Sequence, residues 1–139
     1  MTRPTQDARR RYETYRELEN LASEMNFAVD AVIVEGPHDQ KTLRRLGCTK
    51  PILQASHRPP SDLVDFTVKH YSNVAVLTDF DEEGINLDRR LSQRFQARGV
   101  AVDRFYRRRF RKLLKTAGIS TIEGIYTLKL ERNRQWGIG

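Results

Sequence analysis

The chain has 139 residues, of which 38% are hydrophobic and 31% are charged, and its formal net charge is +7. This size fits one domain with a real core. We expect a cytoplasmic protein without a membrane anchor, because no apolar stretch approaches the ~20 residues that cross a bilayer and the first residues are too charged for a secretion signal. The single cysteine, Cys48, excludes an internal disulfide and predicts a small buried hydrophobic residue.

The first third of the chain alternates helix, strand and helix. Segment 6–25 has apolar residues on one side at helical spacing, which predicts an amphipathic helix. Residues 31–35, "AVIVE", are a short apolar run that predicts a buried strand, and Gly36-Pro37 ends it. Pro37 suits the first turn of the next helix, which Gly47 is expected to end.

The rest of the chain repeats this pattern. Strands are predicted at 51–55, 73–80 and 100–105, and helices at 62–72, 82–99 and 122–133, with Ser61 as the cap of the first of these helices. The alternation is typical of an α/β fold, a three-layer sandwich around a mainly parallel four-stranded sheet. In such sheets the functional residues lie beyond the carboxyl ends of the strands.

Carboxylates follow two of the predicted strands. Glu35 ends the first, and Asp79 and Asp81 end the third in "VLTDFDEEG". If the two strands are neighbours, their ends lie roughly 5–10 Å apart. Asp79 and Asp81 alternate along an extended segment, so both can face one side while Phe80 points away. Converging carboxylates repel each other, and a hard divalent cation such as Mg²⁺ removes that conflict.

Each of these features also has a simpler interpretation. An Asp-x-Asp sequence after a strand is often only a helix cap and turn, and a single glutamate at a strand end is equally weak evidence. The combination is stronger evidence for a site, because two separate strands bring carboxylates to one edge. Each is followed by a glycine, Gly36 or Gly84, that lets backbone or ligand approach closely.

A basic segment follows the fourth predicted strand. In "RFYRRRFRKLLK", residues 104–115, cations are interleaved with Phe105, Tyr106 and Phe110. This pattern predicts a surface for a polyanion, with aromatic rings available for stacking. Composition does not distinguish such a surface from an ordinary solvated helix face. The predicted nucleic-acid contacts are Arg104, Arg107, Arg108, Arg109, Arg111, Lys112 and Lys115.

The stretches "VIVEGPHD" and "VLTDFDEEG" resemble the two motifs of the Toprim domain. This metal-binding module is shared by topoisomerases, bacterial primases, recombination and old-type nucleases, and the 5S-rRNA-maturing ribonuclease. The resemblance covers residues 31 to about 105, and the size and basic end look like the small stand-alone Toprim proteins of archaea. It implies a Rossmann-like core at 31–106, with helical extensions at 1–30 and 107–139 in one compact domain.

The resemblance also implies a role for each acidic residue. Glu35 would be a metal ligand and the catalytic general acid or base. Asp79 would bridge or hold a first Mg²⁺ ion and Asp81 would help to hold a second, and Mn²⁺ would be able to substitute. The supporting residues of the site would be Asp39, Glu83, Gly36 and Gly84.

Two ions about 4 Å apart would support phosphodiester cleavage of RNA or DNA by a two-metal mechanism. Glu82 and Glu83 stand where the topoisomerase motif has Arg and Glu, which weakens phosphate attraction and argues against a strand-passing topoisomerase. A non-catalytic nucleic-acid-binding or adaptor module stays open, since it needs only the basic face. A primase-like nucleotidyl transferase also stays open, although it usually brings further domains.

Overall fold

The computed structural model describes residues 6–128. Its elements are, in chain order, helix α1 (Gln6–Met25), strand β1 (Ala31–Val34), helix α2 (Pro37–Leu46), strand β2 (Ile52–Gln54), a 3₁₀ turn (Ala55–His57), helix α3 (Pro60–His70), strand β3 (Asn73–Val76), helix α4 (Glu82–Ala97), strand β4 (Ala101–Asp103) and helix α5 (Phe105–Thr116).

The four strands form one parallel sheet in the order β2-β1-β3-β4. Ile33 of β1 lies opposite Leu53 of β2 on one side and Val76 of β3 on the other. The predicted α/β class with a mainly parallel four-stranded sheet is therefore confirmed. Because β1 and β3 are direct neighbours, the residues after their carboxyl ends come from two distant parts of the chain and meet at one edge.

The sheet is the middle of three layers. Alternate side chains of the central strands point to opposite faces, as the period of two in a strand requires. Val32, Val34, Ala75 and Leu77 join the core cluster that α1, α2 and α5 cover. Ala31, Ile33, Val74 and Val76 join the second cluster, which α3 and α4 cover. Both faces are apolar, so these strands read as continuous hydrophobic runs.

The helix ends predicted from the sequence for α1 and α2 agree with the structure, and the predicted cap of α3 does not. Helix α1 has the predicted bounds, and Gly47 ends α2 in the left-handed conformation at φ 107°. Ser61 does not cap α3. The helix begins at Pro60 with Pro59 as its N-cap, so Ser61 lies in the first turn. Proline suits this position because its ring fixes φ near the helical value and its missing N–H needs no partner there.

The last predicted strand is shorter than expected, and the basic segment is a helix. Strand β4 ends at Asp103, and α5 places Phe110 and Leu114 in the same core cluster as β1. Residues 125–128 are helical, in agreement with the start of the predicted last helix, whose remainder lies outside the described residues. Within residues 6–128, no helix is long and apolar enough to cross a membrane.

Candidate metal centre

Glu35 and Asp79 lie side by side at the carboxyl edge of the sheet. Glu35 directly follows β1, and the backbone N–H of Asp79, three residues beyond β3, donates to Glu35 Oε1 at 3.1 Å. The N–H of Leu77 donates to the Ile33 carbonyl at 2.7 Å, which continues the pairing of the two strands toward this edge. The parallel ladder therefore fixes the relative position of the two acidic segments.

The neighbouring aspartates cap the two helices that begin at this edge. Asp81 is the N-cap of α4, and its Oδ1 accepts from the Gly84 N–H at 2.8 Å. Asp39, in the first turn of α2, accepts from the Gly36 N–H at 3.0 Å through Oδ2 and is buried. The contact of Asp81 is the helix-capping role that the sequence left open for the Asp-x-Asp motif. The contacts of Asp81 and Asp39 occupy one oxygen of each carboxylate and place both side chains at the strand ends.

A fifth acidic residue, Glu123, was missed from the sequence. The segment after α5 returns to the sheet edge, where the Ile122 N–H donates to Asp79 Oδ1 at 2.9 Å. The negative charge of Glu123 helps to raise the pKa values of Asp39 and Asp79. The sequence "STIEG" contains this glutamate but does not predict its position. Residues 119–124 form no strand, so periodicity does not show what they pack against.

The edge is electrostatically unfavourable for ionised carboxylates. Burial, together with repulsion from Asp79, raises the pKa of Glu35 above its ordinary value. Burial likewise raises the pKa of Asp79, to which repulsion from Asp39 and Asp81 adds, although the Ile122 N–H opposes the shift. Burial raises the pKa of Asp39 as well. The negative side chains thus destabilise one another, and a bound cation would relieve this.

The donor chemistry fits Mg²⁺, but the side chains do not form a finished coordination shell. Carboxylate oxygens are the ligands that Mg²⁺ prefers, and the hydrogen bonds of Glu35, Asp79 and Asp81 to backbone N–H groups each use one of the two oxygens. Among residues 6–128, no group of three His, Cys, Asp or Glu side chains is close enough as placed to hold an ion. A site built from Glu35, Asp79 and Asp81 would require side-chain rotation.

The two motif glycines have different structural roles. A methyl group on Gly84 would overlap the carbonyl of Asp79, so the close packing of α4 against the end of β3 requires glycine there. Gly36 is extended, with φ −150°, and a methyl group on it would meet nothing closer than Ser56 Oγ at 3.7 Å. The protein itself therefore requires glycine at position 84 and leaves room for a side chain at position 36.

Arg107 belongs to the fold and not to the predicted nucleic-acid surface. It is only 5% exposed, and its Nη1 donates to the carbonyls of Val76 and Thr78, each at 3.0 Å. Its Nη2 donates to the Asp79 carbonyl at 3.3 Å. The Arg107 side chain therefore holds the backbone of the segment that carries Asp79. Its assignment to phosphate binding was wrong, because the sequence does not show which arginine of the basic segment is buried.

Asp88 balances the charge of Arg107. Arg107 Nε lies 3.1 Å from Asp88 Oδ2, with 6% of each side chain exposed. Arg104 donates to both oxygens of the same carboxylate at 2.8 and 2.9 Å, so it too is engaged, although 40% of its side chain is exposed. The sequence held a signal for Asp88, which lies four residues after Gly84 and three before Leu91 on the buried face of α4. A charge on an apolar face needs a partner.

The remaining predicted cations do face solvent. Arg108, Arg109, Arg111, Lys112 and Lys115 are exposed on α5, and we call them the α5 basic face. Phe105, 49% exposed, lies under Arg109 with 6.0 Å between the guanidinium carbon and the ring centroid. Glu83 is exposed in the first turn of α4 and lines an open groove of about 670 Å³ with Glu82, Asn86, Arg89 and Arg90.

Comparison with known proteins agrees with this geometry. The Toprim domain profile matches residues 30–113. The UPF0292 protein of Thermococcus onnurineus is 34% identical over 119 residues, which cover 86% of this chain and 88% of that protein. The UPF0292 protein of Thermococcus sibiricus is 33% identical over 116 residues, covering 82% and 91%, respectively. The UPF0292 protein of Methanosarcina barkeri is 31% identical over 119 residues, covering 86% and 82%.

A solved structure shows the same fold. A protein from Aquifex aeolicus superposes with a TM-score of 0.60 and 26% identity, covering 81% of this chain and 94% of that chain. Toprim domains are a metal-binding fold associated with nucleic acids, and they typically bind Mg²⁺. The two sequence motifs, the parallel sheet and the match over residues 30–113 agree with one another. The chain therefore belongs to the Toprim domain family and is related to the small archaeal UPF0292 proteins.

Proposed function

We propose that this protein cleaves phosphodiester bonds in RNA or DNA at the edge where Glu35 and Asp79 meet, with Mg²⁺ as its cofactor. The observation that supports this most directly is the 3.1 Å contact between the Asp79 N–H and Glu35 Oε1. It joins the two motifs at one place, with Asp81 and Asp39 capping the helices on either side. The helix N-termini at this edge also favour a phosphate group.

Each acidic residue has a role in the proposed reaction. Glu35, Asp79 and Asp81 would hold two Mg²⁺ ions, or Mn²⁺ in their place. When bound, such ions activate water and stabilise the leaving oxygen of a phosphodiester. Glu35 is the general acid or base of the proposal, because its raised pKa suits proton uptake at the oxygen that the Asp79 N–H does not hold. Asp39 accepts a hydrogen bond from the Gly36 N–H and so supports the backbone next to Glu35. Glu83 is a further supporting residue in this proposal.

The α5 basic face would hold the nucleic-acid backbone. Its five exposed cations, with Phe105 under Arg109, form an electrostatic surface of the kind that gives salt-dependent binding. Arg107 is excluded from this role because it is buried. Arg104 stays a proposed contact, since 40% of its side chain is exposed beside its pair with Asp88.

A non-catalytic nucleic-acid-binding or adaptor module is the second candidate. It is favoured by the absence, among residues 6–128, of three acidic side chains already close enough to hold an ion. In that case Asp39 and Asp81 only cap helices, Glu35 and Asp79 only accept hydrogen bonds from nearby backbone, and the α5 basic face carries the function.

Cleavage of labelled RNA and DNA with Mg²⁺ or Mn²⁺ separates the two candidates. We expect Glu35→Gln to abolish cleavage, because glutamine keeps the hydrogen bond to the Asp79 N–H and loses only the charge. The matched control is Glu82→Gln, an exposed residue in the first turn of α4, which is expected to cleave normally. Cleavage that survives in Glu35→Gln would refute the catalytic proposal. Binding that persists in EDTA and in Glu35→Gln, without cleavage by the unchanged protein, would establish the binding module.

Metal binding is tested separately by thermal unfolding. We expect Mg²⁺ to raise the Tm of the unchanged protein and to leave that of Asp79→Asn unaltered, because ligand binding stabilises the folded state only where the site is intact. Equal shifts in both proteins would exclude Asp79 as a ligand.

A further inference from the structure

A groove of about 500 Å³ lies between helix α2 and the segment 121–127. His38, Lys41 and Arg45 form its α2 wall, and Thr121, Tyr126 and Thr127 lie on the opposite wall. We call it the α2 groove. It is separate from the α5 basic face, and none of its cations belongs to the set predicted from the basic segment.

The α2 wall presents a row of polar side chains, of which Lys41 and Arg45 are cationic. Positions 38, 41 and 45 are spaced by three and four residues and so share one side of the helix, and all three residues are exposed. The neighbouring Arg44 is used otherwise, because its Nη1 donates to the carbonyls of Cys48 and Lys50 at 2.9 and 2.8 Å. Two arginines adjacent in sequence thus have distinct roles, one tied to the backbone and one lining the groove.

The opposite wall supplies an aromatic ring. Tyr126 is 43% exposed, and the guanidinium carbon of Arg45 lies 5.3 Å from its ring centroid. A guanidinium stacked on a half-exposed ring forms a platform on which a nucleic-acid base can stack. The Thr121 hydroxyl accepts from the Gly124 N–H at 3.0 Å and can donate its own hydrogen to a phosphate or sugar oxygen, whereas the Thr127 hydroxyl already donates to the Gly124 carbonyl at 2.8 Å.

The α2 groove and the candidate metal centre share the segment 121–123. Glu123 lines the groove, and its charge also acts on Asp39 and Asp79. Between Thr121 and Glu123, the Ile122 N–H holds Asp79 Oδ1. A chain of phosphates that follows the cations of α2 would therefore lead to the edge at which Glu35 and Asp79 meet.

We propose that the α2 groove binds a single strand of nucleic acid, with a base stacked on the Arg45–Tyr126 pair and phosphates beside Lys41 and His38. A single strand is the occupant because its unpaired bases have free faces for stacking, whereas the bases of a duplex stack on one another. This proposal adds a binding site for the substrate of the proposed cleavage reaction. It rests on that reaction only for the statement that the strand leads to the edge where Glu35 and Asp79 meet.

Binding of fluorescent 12-residue oligonucleotides tests the assignment. Single-stranded RNA, single-stranded DNA of the same sequence and a duplex are titrated in EDTA, so that no cleavage occurs. We expect tighter binding of the single strands, and the RNA and DNA arms identify which sugar is preferred. Tyr126→Ala is expected to weaken single-strand binding by about 5- to 100-fold, and Tyr126→Phe to restore it because the ring is kept.

Charge variants supply the second readout. Lys41→Ala is expected to reduce the slope of log K against log salt by about 0.7, the change expected for one lost phosphate contact to a single strand. The matched control is Lys69→Ala, an exposed lysine in the last turn of α3, which should leave the slope unchanged. Thermal unfolding of each variant confirms that it folds, which we expect because Lys41 and Tyr126 are both exposed.

The outcomes separate this inference from the proposed reaction. Metal-dependent cleavage together with normal binding by Tyr126→Ala and Lys41→Ala would overturn the α2 groove and leave the reaction standing. Groove-dependent binding without cleavage would support the groove and overturn the reaction. Stronger binding of the duplex than of either single strand, or failure to bind any of the three oligonucleotides, would overturn the groove. The reaction is decided by the cleavage assay with Mg²⁺ or Mn²⁺.

Discussion

Replacement of Arg107 by methionine should destabilise the protein strongly. Methionine keeps much of the apolar stem but removes the guanidinium that donates to the Val76, Thr78 and Asp79 carbonyls and pairs with Asp88 at 3.1 Å. Asp88 keeps the partly exposed Arg104 as a partner, but the buried carbonyls of Val76 and Thr78 lose the donor that Arg107 supplies. Removal of one partner from a buried ion pair costs about 3–5 kcal/mol. For a chain of this size that corresponds to a fall in Tm of roughly 10–15 °C.

The same protein contains a matched control. Arg98 and Asp65 lie 2.8 Å apart, but 50% and 55% of their side chains are exposed. Arg98→Met should therefore cost less than about 1 kcal/mol, because water screens the exposed pair. Thermal and urea unfolding measure both variants. If Arg107→Met and Arg98→Met prove equally stable, burial does not determine the strength of these pairs.

Two further predictions concern the acidic edge. Because the pKa of Glu35 is raised on folding, its stabilising contribution is complete below the ordinary glutamate pKa and is lost as the pH rises through the folded value. In EDTA, the Tm of Glu35→Gln relative to the unchanged protein should therefore increase between pH 4 and pH 8, and a decrease would contradict this sign. Gly84→Ala should cost about 1–3 kcal/mol through overlap with the Asp79 carbonyl, whereas Gly36→Ala should unfold within a few degrees of the unchanged protein. Equal losses in the two alanine variants, measured by thermal unfolding, would show that the contact at Gly84 is not decisive.

The neighbouring positions of Glu35 and Asp79 could be predicted because they follow from two strong regularities. Apolar runs that end in acids identify strand ends, and parallel strands bring those ends to one edge. Glu123 and the Ile122 N–H could not be found this way, because they lie in an irregular segment whose path depends on tertiary packing. Arg107 was misassigned because composition alone does not show which arginine of a basic helix points inward.

Asp88 is a different case, since its position on the apolar side of α4 was visible in the sequence. A search for the partner of that buried charge would have pointed to the basic segment, and so to a structural role for one of its arginines.

The segment after β3 is held on one side by β1 and Glu35 and on the other by residues that come later in the chain. Arg107 clamps its carbonyls, the Phe80 N–H donates to the Ser120 carbonyl at 2.7 Å, and the Ile122 N–H holds Asp79. All four strands are synthesised before residue 104, yet the acidic edge takes its final shape only after residue 122 has docked. Loss of the segment around residue 122 would therefore disturb the surroundings of Asp79 while leaving all four strands in the chain.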